Sequence, residues 1–232
     1  MSTNKIIITQ SDYIPWKGYF DSIHMADVVV LYDDAQYTRR DWRNRNKIKT
    51  ANGVKWLTIP VHVKEKYHQK INEVRISDPE WKEKHWKSLA GCYRKARYFE
   101  EYGPILEALY RNCTFELLSE INFTFLRAIC KLLNIDTAFK WSGEFPVTGD
   151  KSERLLRICR ELNATHYLTG PAAKDYLNTD VFRSEGIEVE WLDYSGYPEY
   201  TQLHPPFEHG VTILDLIFNE GPNAAKYMKT FS

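Results

Sequence analysis

The sequence predicts an α/β protein built on a mainly parallel sheet, with a helical subdomain inserted into it. Three observations carry this. Lys5-Ile-Ile-Ile-Thr-Gln10 and Ala26-Asp-Val-Val-Val-Leu-Tyr32 are short β-branched runs without polar alternation, the pattern of strands buried on both faces. Between them Trp16, Tyr19, Phe20 and Ile23 recur at helical spacing, and a helical crossover of this kind joins parallel strands. Helix and strand patterns alternate again after residue 150.

A third strand is expected at Lys55-Trp-Leu-Thr-Ile-Pro-Val61, after the turn signal Asn52-Gly53. The middle is helical. Asp78-Pro79 supplies an N-cap and first-turn pair, and Trp81, His85 and Leu89 follow at intervals of four. Phe115 to Leu133 gives a longer helix with Leu118, Ile121, Phe125, Ile129 and Leu132 on one stripe. Asp150-Lys-Ser-Glu153 resembles a capping box with Asp in the Ser/Thr position, opening a helix with Leu155, Leu156, Cys159 and Leu162. Strands follow at Thr165-His-Tyr-Leu-Thr169 and Ile187-Glu-Val-Glu-Trp-Leu192. Thr212-Ile-Leu-Asp215 opens a terminal helix, with Asp215 closing a capping box, and that helix stops near Gly221-Pro222. No repeat or linker divides residues 1–232, so one α/β domain is expected. Its sheet draws on segments 5–10, 27–32, 55–61, 165–169 and 187–192, with the helical insertion at 78–140.

With 43% hydrophobic and 27% charged residues in a chain of 232, wholesale disorder is excluded. Lys and Arg number 31, as do Asp and Glu, so no global field holds duplex DNA or an anionic membrane, and any phosphate must be bound locally. Neither a nucleic-acid partner nor membrane insertion is expected. Asp27, Asp33 and Asp34 interrupt the apolar stretch near Val28, and the start lacks a leader-type apolar region, which suggests a cytoplasmic protein. Cys92, Cys113, Cys130 and Cys159 show no CxxC spacing and read as small packed side chains. His204 and His209 share a Pro-rich loop with no third ligand spaced to complete a metal site. An aromatic content of 14% suggests a pocket lined by rings.

In an open parallel sheet, ligands bind outside the carboxyl ends of the strands, so the segments after each strand are informative. Four such junctions carry polar and aromatic groups: Gln10 to Trp16, Asp33 to Asn46, Gly170 to Tyr176, and Asp193-Tyr194. None has the glycine spacing of a P-loop or dinucleotide fingerprint. Between Tyr37 and Lys49, Arg39, Arg40, Arg43, Arg45, Lys47 and Lys49 are interleaved with Tyr37, Trp42, Asn44 and Asn46. Guanidinium forks match phosphate oxygens and rings stack on bases or sugars, so this segment is either a phosphate-ligand site or a solvated basic turn. Adjacent Asp33 and Asp34 could raise one another's pKa and supply a general base, or could cap and pair locally. His85 fits a half-buried helix face first and a proton carrier second. The geometry expected of a site is one crevice lined by Gln10, Tyr13, Asp33, Gln36 and Arg45, roofed by the helical insertion with His85 facing in, and Tyr176 opposite.

The run Gln10-x-x-Tyr13-x-Pro15-Trp16-x-Gly18-Tyr19-Phe20, followed by Ala26-Asp27, Asp33-x-x-Gln36-Tyr37 and Trp42-x-Asn44-Arg45-Asn46-x-Ile48, resembles the WbqC-like family of bacterial proteins. Further matches run from Trp81 and Lys84-His85-Trp86-Lys87-Ser88 through Tyr167-Leu168, Gly170 and Tyr176-Leu177 to Ile213-Leu214-Asp215-Leu216 and Phe218-Asn219. The resemblance implies a bacterial cytoplasmic protein encoded among genes for O-antigen (lipopolysaccharide) and other surface polysaccharides. A more distant similarity is to the Rossmann-like plan of nucleotidylyltransferase-type enzymes, whose paired-histidine ATP motif is replaced here by Tyr13-Ile-Pro-Trp-Lys-Gly18.

Pathway and residues together suggest a transferase that forms an amide, by acyl or aminoacyl transfer, on a nucleotide- or lipid-linked amino sugar. Its partners would be that amino sugar and an acyl or aminoacyl donor; the sequence names no cofactor. Arg43, Arg45 and Lys47 would clamp a diphosphate, Tyr13, Trp16 and Tyr37 would stack, and Asp33, Asp34 or His85 would take the proton. Two alternatives remain: an ATP-dependent carboxylate-activating ligase, which would release pyrophosphate, and a non-catalytic sugar-nucleotide-binding partner, which would bind without turnover.

Overall fold

The computed structural model describes residues 3–146 and 149–231. Five parallel strands form the central sheet: β1 (Lys5–Thr9), β2 (Val28–Leu31), β5 (Ala138–Trp141), β6 (His166–Thr169) and β7 (Glu188–Trp191). They lie in the order β5-β2-β1-β6-β7. Renumbered within the sheet this is 3-2-1-4-5, the order of a doubly wound, Rossmann-like α/β sheet. A separate two-stranded hairpin consists of β3 (Arg45–Thr50) and β4 (Gly53–Thr58). The α-helices among the described residues are α1 (Lys17–Met25), α2 (Trp81–Tyr93), α3 (Phe99–Asn112), α4 (Leu118–Leu132), α5 (Lys151–Glu161), α6 (Thr179–Ser184) and α7 (Ile213–Glu220).

Successive strand side chains point to opposite faces, and here both faces are covered. Ile7, Val29, Leu31 and Leu168 pack with α1, α4 and α7 in one cluster, whereas Ile6, Ile8, Val30 and Tyr167 pack with α5 and α6 in another. This is why the first two strands carry unbroken β-branched runs. The capping box is present as expected: the Asp150 carboxylate accepts from Glu153 N at 2.9 Å, and Glu153 returns the bond to Asp150 N at 3.0 Å. On α4, Ile121, Phe125 and Ile129 are fully buried, and the Phe125 ring meets Tyr110 at 4.7 Å. Burying each such side chain stabilises the fold by roughly 1.5–3 kcal/mol.

Two strand assignments need correction. Segment 55–61 does not enter the parallel sheet. Its first residues form β4, which pairs antiparallel with β3 from Arg45↔Thr58 to Thr50↔Gly53 around the two-residue loop Ala51-Asn52. The physical signal was the Asn-Gly turn itself, which favours pairing with the preceding segment, and β4 exposes most of one face as only a hairpin can. The third sheet strand is instead β5. Ala138-Phe-Lys-Trp141 is a half-exposed edge strand containing Lys140, so it lacks the continuous apolar run that marks a central strand. The helical segment accordingly ends before 140, and the connection from β2 to its neighbour β5 carries the hairpin as well as α2, α3 and α4. Asp215 closes no capping box. Its carboxylate is buried and accepts bonds from Tyr93 OH at 2.9 Å and Tyr200 OH at 2.7 Å, tying α7 to α2 and to the Pro-rich loop.

Candidate functional site

The loop after β1 is built under strain. Ile14, a β-branched residue, takes φ +38°, a conformation that costs on the order of 1–3 kcal/mol and persists only where its surroundings impose it. Those surroundings are specific. Asn46 Nδ2 donates to Tyr13 O at 3.1 Å and to Ile14 O at 3.0 Å, Tyr13 N donates to Trp42 O, and Ile213 N donates to Pro15 O. Upstream, the buried Asp33 carboxylate accepts from Ser11 N at 2.8 Å and Ser11 Oγ at 2.6 Å, while Asn122 Nδ2 donates to Ser11 Oγ at 3.0 Å and Arg43 O at 2.9 Å. Four chain segments thus hold Asp12, the one carboxylate of this loop, in a single position.

Two concave sites open on either side of that loop. The first is a crevice of about 670 Å³ at the carboxyl ends of β1 and β6. That is the topological switch point, where the helices joined to adjacent strands pass to opposite faces. Its walls include Gln10, Arg43, Lys151, Arg154, Tyr176 and Tyr194. Lys151 and Arg154 come from the first turn of α5, and cations there oppose the helix dipole, which favours anions at that end. Arg154 also donates to the Asp34 carboxylate at 2.7 Å, and its guanidinium lies 5.2 Å from the Tyr32 ring centre. Lys151 stands 5.4 Å from the half-exposed Tyr176 ring.

The second site is a cavity of about 580 Å³ lined by Asp12, Trp16, Trp42, Asn46, Tyr197 and His209 among others. Trp16 meets Tyr194 and Tyr197 edge-on at 5.7 and 5.4 Å. Tyr194 lines both spaces, and the ion pair between Arg43 Nη1 and the Asp12 carboxylate, 3.0 Å apart, stands between them. The oxygen that faces Arg43 is the buried Asp12 Oδ1, and the pair meets without an aligned hydrogen bond among the described residues. Burial raises the Asp12 pKa to about 6; Arg43 draws it down in part, and Asp41 and Asp33 push it up. A carboxylate at this pKa exchanges a proton near neutrality.

The structure divides the residues singled out from sequence. Gln10, Gln36, Arg43 and Tyr176 share the crevice, and Trp16 and Asn46 share the cavity. The others do not converge, and the expected five-residue crevice is not formed. Tyr13 is fully buried, hydrogen-bonded to His85 Nδ1 at 2.9 Å and to Tyr110 OH at 2.6 Å. His85 itself is buried, bonded to Thr58 O at 3.1 Å, and desolvation lowers its pKa to about 4, so it neither faces the crevice nor carries protons at neutrality. Asp33 is sequestered by Ser11, and Asp34 pairs with Arg154 and accepts a short bond from Ser142 Oγ. Tyr37 is buried, and Asn44 is buried with its Nδ2 on Ile59 O. Arg45 lies on the Trp56 ring at 4.1 Å, and Lys47 lies 5.8 and 5.4 Å from Trp42 and Trp56, on the hairpin outside both spaces. Nor does segment 78–140 line either space, so the helical insertion is no roof. For Tyr13, Asp33, Tyr37, Asn44 and His85 the reason is shared: they belong to the core under the strand ends. His204 turns to Cys92 O, while His209 lines the cavity.

Sequence reasoning singled out none of Asp12, Lys151, Arg154 and Tyr197, and reached Tyr194 only as part of a strand-end junction. Asp12 lay in plain view at a strand end, and the two cations were legible as charges on the wrong end of a helix.

Fold and site together define a doubly wound α/β protein whose cationic, tyrosine-lined crevice sits at the switch point of its sheet. The chain belongs to the WbqC-like protein family, whose model matches residues 10–227. It is 44% identical over 225 residues to the uncharacterized protein Rv1507c of Mycobacterium tuberculosis, covering 97% of each chain. No solved structure matches it. Among the described residues, no helix is long and apolar enough to cross a membrane.

Proposed function

We propose that this protein is a transferase forming an amide on an amino sugar carried by a nucleotide or lipid diphosphate, in the assembly of bacterial surface polysaccharide. The observation that carries this reading is the juxtaposition of the Arg43, Lys151 and Arg154 cations with Asp12, a partly buried carboxylate of pKa about 6 at the wall of a second, aromatic cavity. Arg forks and a Lys ammonium suit a diphosphate, and Tyr32, Tyr176 and Tyr194 offer faces and hydroxyls to a base or sugar. The acyl or aminoacyl donor is assigned to the cavity between Trp16, Trp42 and Tyr197.

At the junction, the amine nitrogen bonds to the donor's carbonyl carbon, its proton passes to Asp12, and the donor's carrier leaves with the electrons of the bond it loses. A base of pKa about 6 is largely ionised at pH 7 and still accepts a proton from a nitrogen gaining positive charge. Arg43 holds that carboxylate toward the partition and keeps it ionised.

Saturation binding against a panel of nucleoside-diphosphate amino sugars tests the crevice. At least one should bind with sub-millimolar affinity, weakened about tenfold or more by Arg154→Ala, the loss expected for a charge-assisted hydrogen bond. Absence of any such ligand overturns the reading. Mass spectrometry of the N-acylated product then separates catalysis from mere binding: Asp12→Asn should keep the ligand and lose the product.

A further inference from the structure

The net charge of zero conceals a strong local imbalance. Residues 36–70 carry ten Lys and Arg against two Asp and Glu, leaving 21 against 29 for the rest of the chain. Screening confines electrostatics to about 8 Å at physiological salt, so what an approaching surface meets is this local charge and not the chain's sum. Among the described residues, the only ion-paired cation of the segment is Arg43, through Asp12 and Asp41.

Apart from Arg43 and from Lys49, which is buried with its Nζ donating to Pro206 O, the cations of this segment are exposed or half-exposed, and several of them meet exposed rings. Arg39 lies 5.6 Å from the Tyr67 ring centre and donates to Val63 O, joining the loop of Lys64 and Lys66 to the segment before the hairpin. Arg45 donates to Arg40 O and covers the Trp56 ring at 4.1 Å. Trp56 packs on Trp42 with centres 5.2 Å apart, and Lys47 flanks both. Trp42, Val54, Trp56 and Tyr67 are all exposed, at 38, 44, 38 and 70%. Large apolar side chains without a core role, set among unpaired cations, are the composition that seats a protein at a lipid headgroup layer, with indoles at the interface and cations on phosphates.

We propose that the β3–β4 hairpin and the loop of residues 62–70 dock this protein on an anionic phospholipid surface. Single-stranded nucleic acid fits less well, because the ring faces it would stack on are engaged: Arg45 lies over Trp56, and Trp42 leans against that same ring. The docking stands independently of the amide-transfer reading. One consequence rests on that reading: Trp42 also walls the cavity beside Asp12, so docking brings the cavity assigned to the donor to headgroup level.

Co-sedimentation of the full chain with phosphatidylcholine vesicles, with and without phosphatidylglycerol, tests the proposal. Binding is expected to the anionic vesicles only and to weaken steeply as salt is raised. Each basic residue at such a surface contributes about fivefold, so the double variant Arg40→Glu/Lys66→Glu, at two exposed positions of the basic segment, should lose about 25-fold or more, while Arg183→Glu on α6 should bind as the parent does. Trp56→Ala should weaken binding without abolishing its salt dependence. Equal binding to both vesicles, or to neither, overturns the proposal, as does tight binding to a single-stranded oligonucleotide by a protein that ignores vesicles. The salt titration of the unmodified protein separates these outcomes even if a variant fails to fold. Vesicle binding and sugar-ligand binding are measured separately, so the failure of either leaves the other standing.

Discussion

Asp12→Asn should make the protein more stable above pH 6. Burial holds the Asp12 carboxyl at about 6 against 3.8 for the free side chain, and this upward shift already includes the attraction of Arg43. Between those two values the folded state binds a proton that the unfolded chain has released, so stability falls as pH rises through the interval and stays low above it. At about 1.4 kcal/mol per pKa unit, ionised Asp12 costs about 3 kcal/mol at pH 8 relative to its neutral form. Asparagine mimics the neutral form at every pH. For a chain of 232 residues that difference raises the melting temperature by about 6–12 °C at pH 8 and vanishes below pH 4. The assay is thermal or urea unfolding of both proteins from pH 4 to 8, reading only their difference so that other titrating groups cancel. A flat difference across that range, or a less stable variant at pH 8, would show that the Arg43 ion pair outweighs desolvation and would remove Asp12 as a strained, poised base.

Three further outcomes follow from the geometry. Asn46→Ala removes two bonds to buried carbonyls of the strained Tyr13-Ile14 turn and should cost about 2–3 kcal/mol in urea unfolding, with less N-acylated product because Asp12 is no longer held. His85 has its pKa lowered to about 4 by burial, so the unfolded chain takes up a proton first as pH falls below 6.5; His85 stability is present above 6.5 and is lost on the way to 4, by up to about 3 kcal/mol, a loss that His85→Gln should not show in pH-dependent unfolding. Phe125→Ala, at the centre of the ring cluster with Tyr13, Trp81 and Tyr110, should cost about 3–5 kcal/mol in the same assay and leave the crevice ligand's affinity unchanged in whatever protein remains folded.

The sequence by itself determined the elements whose signal is local. Unbroken β-branched runs at Ile6 and Val29, the capping box at Asp150 and Glu153, and the stripe through Phe125 and Ile129 each depend on neighbours within a turn or a strand, and each is present. It also pointed to the loops at the strand ends, beside which the two concave spaces lie. Partner choice was another matter. Whether segment 55–61 joined the sheet or folded back on 45–50, and whether Ala138-Phe-Lys-Trp141 was a strand at all, was decided by strand partners that local sequence does not name. The direction of side chains was likewise settled only in three dimensions. Asp33 and Asp12 stand in the same strand-end region, yet Ser11 and Asn122 close over one and leave the other paired with Arg43 beside a cavity. A carboxylate's pKa follows its desolvation and its nearest charges, and those are set by Arg43, Asp41 and Asp33 across a tertiary contact, which no spacing along the chain encodes.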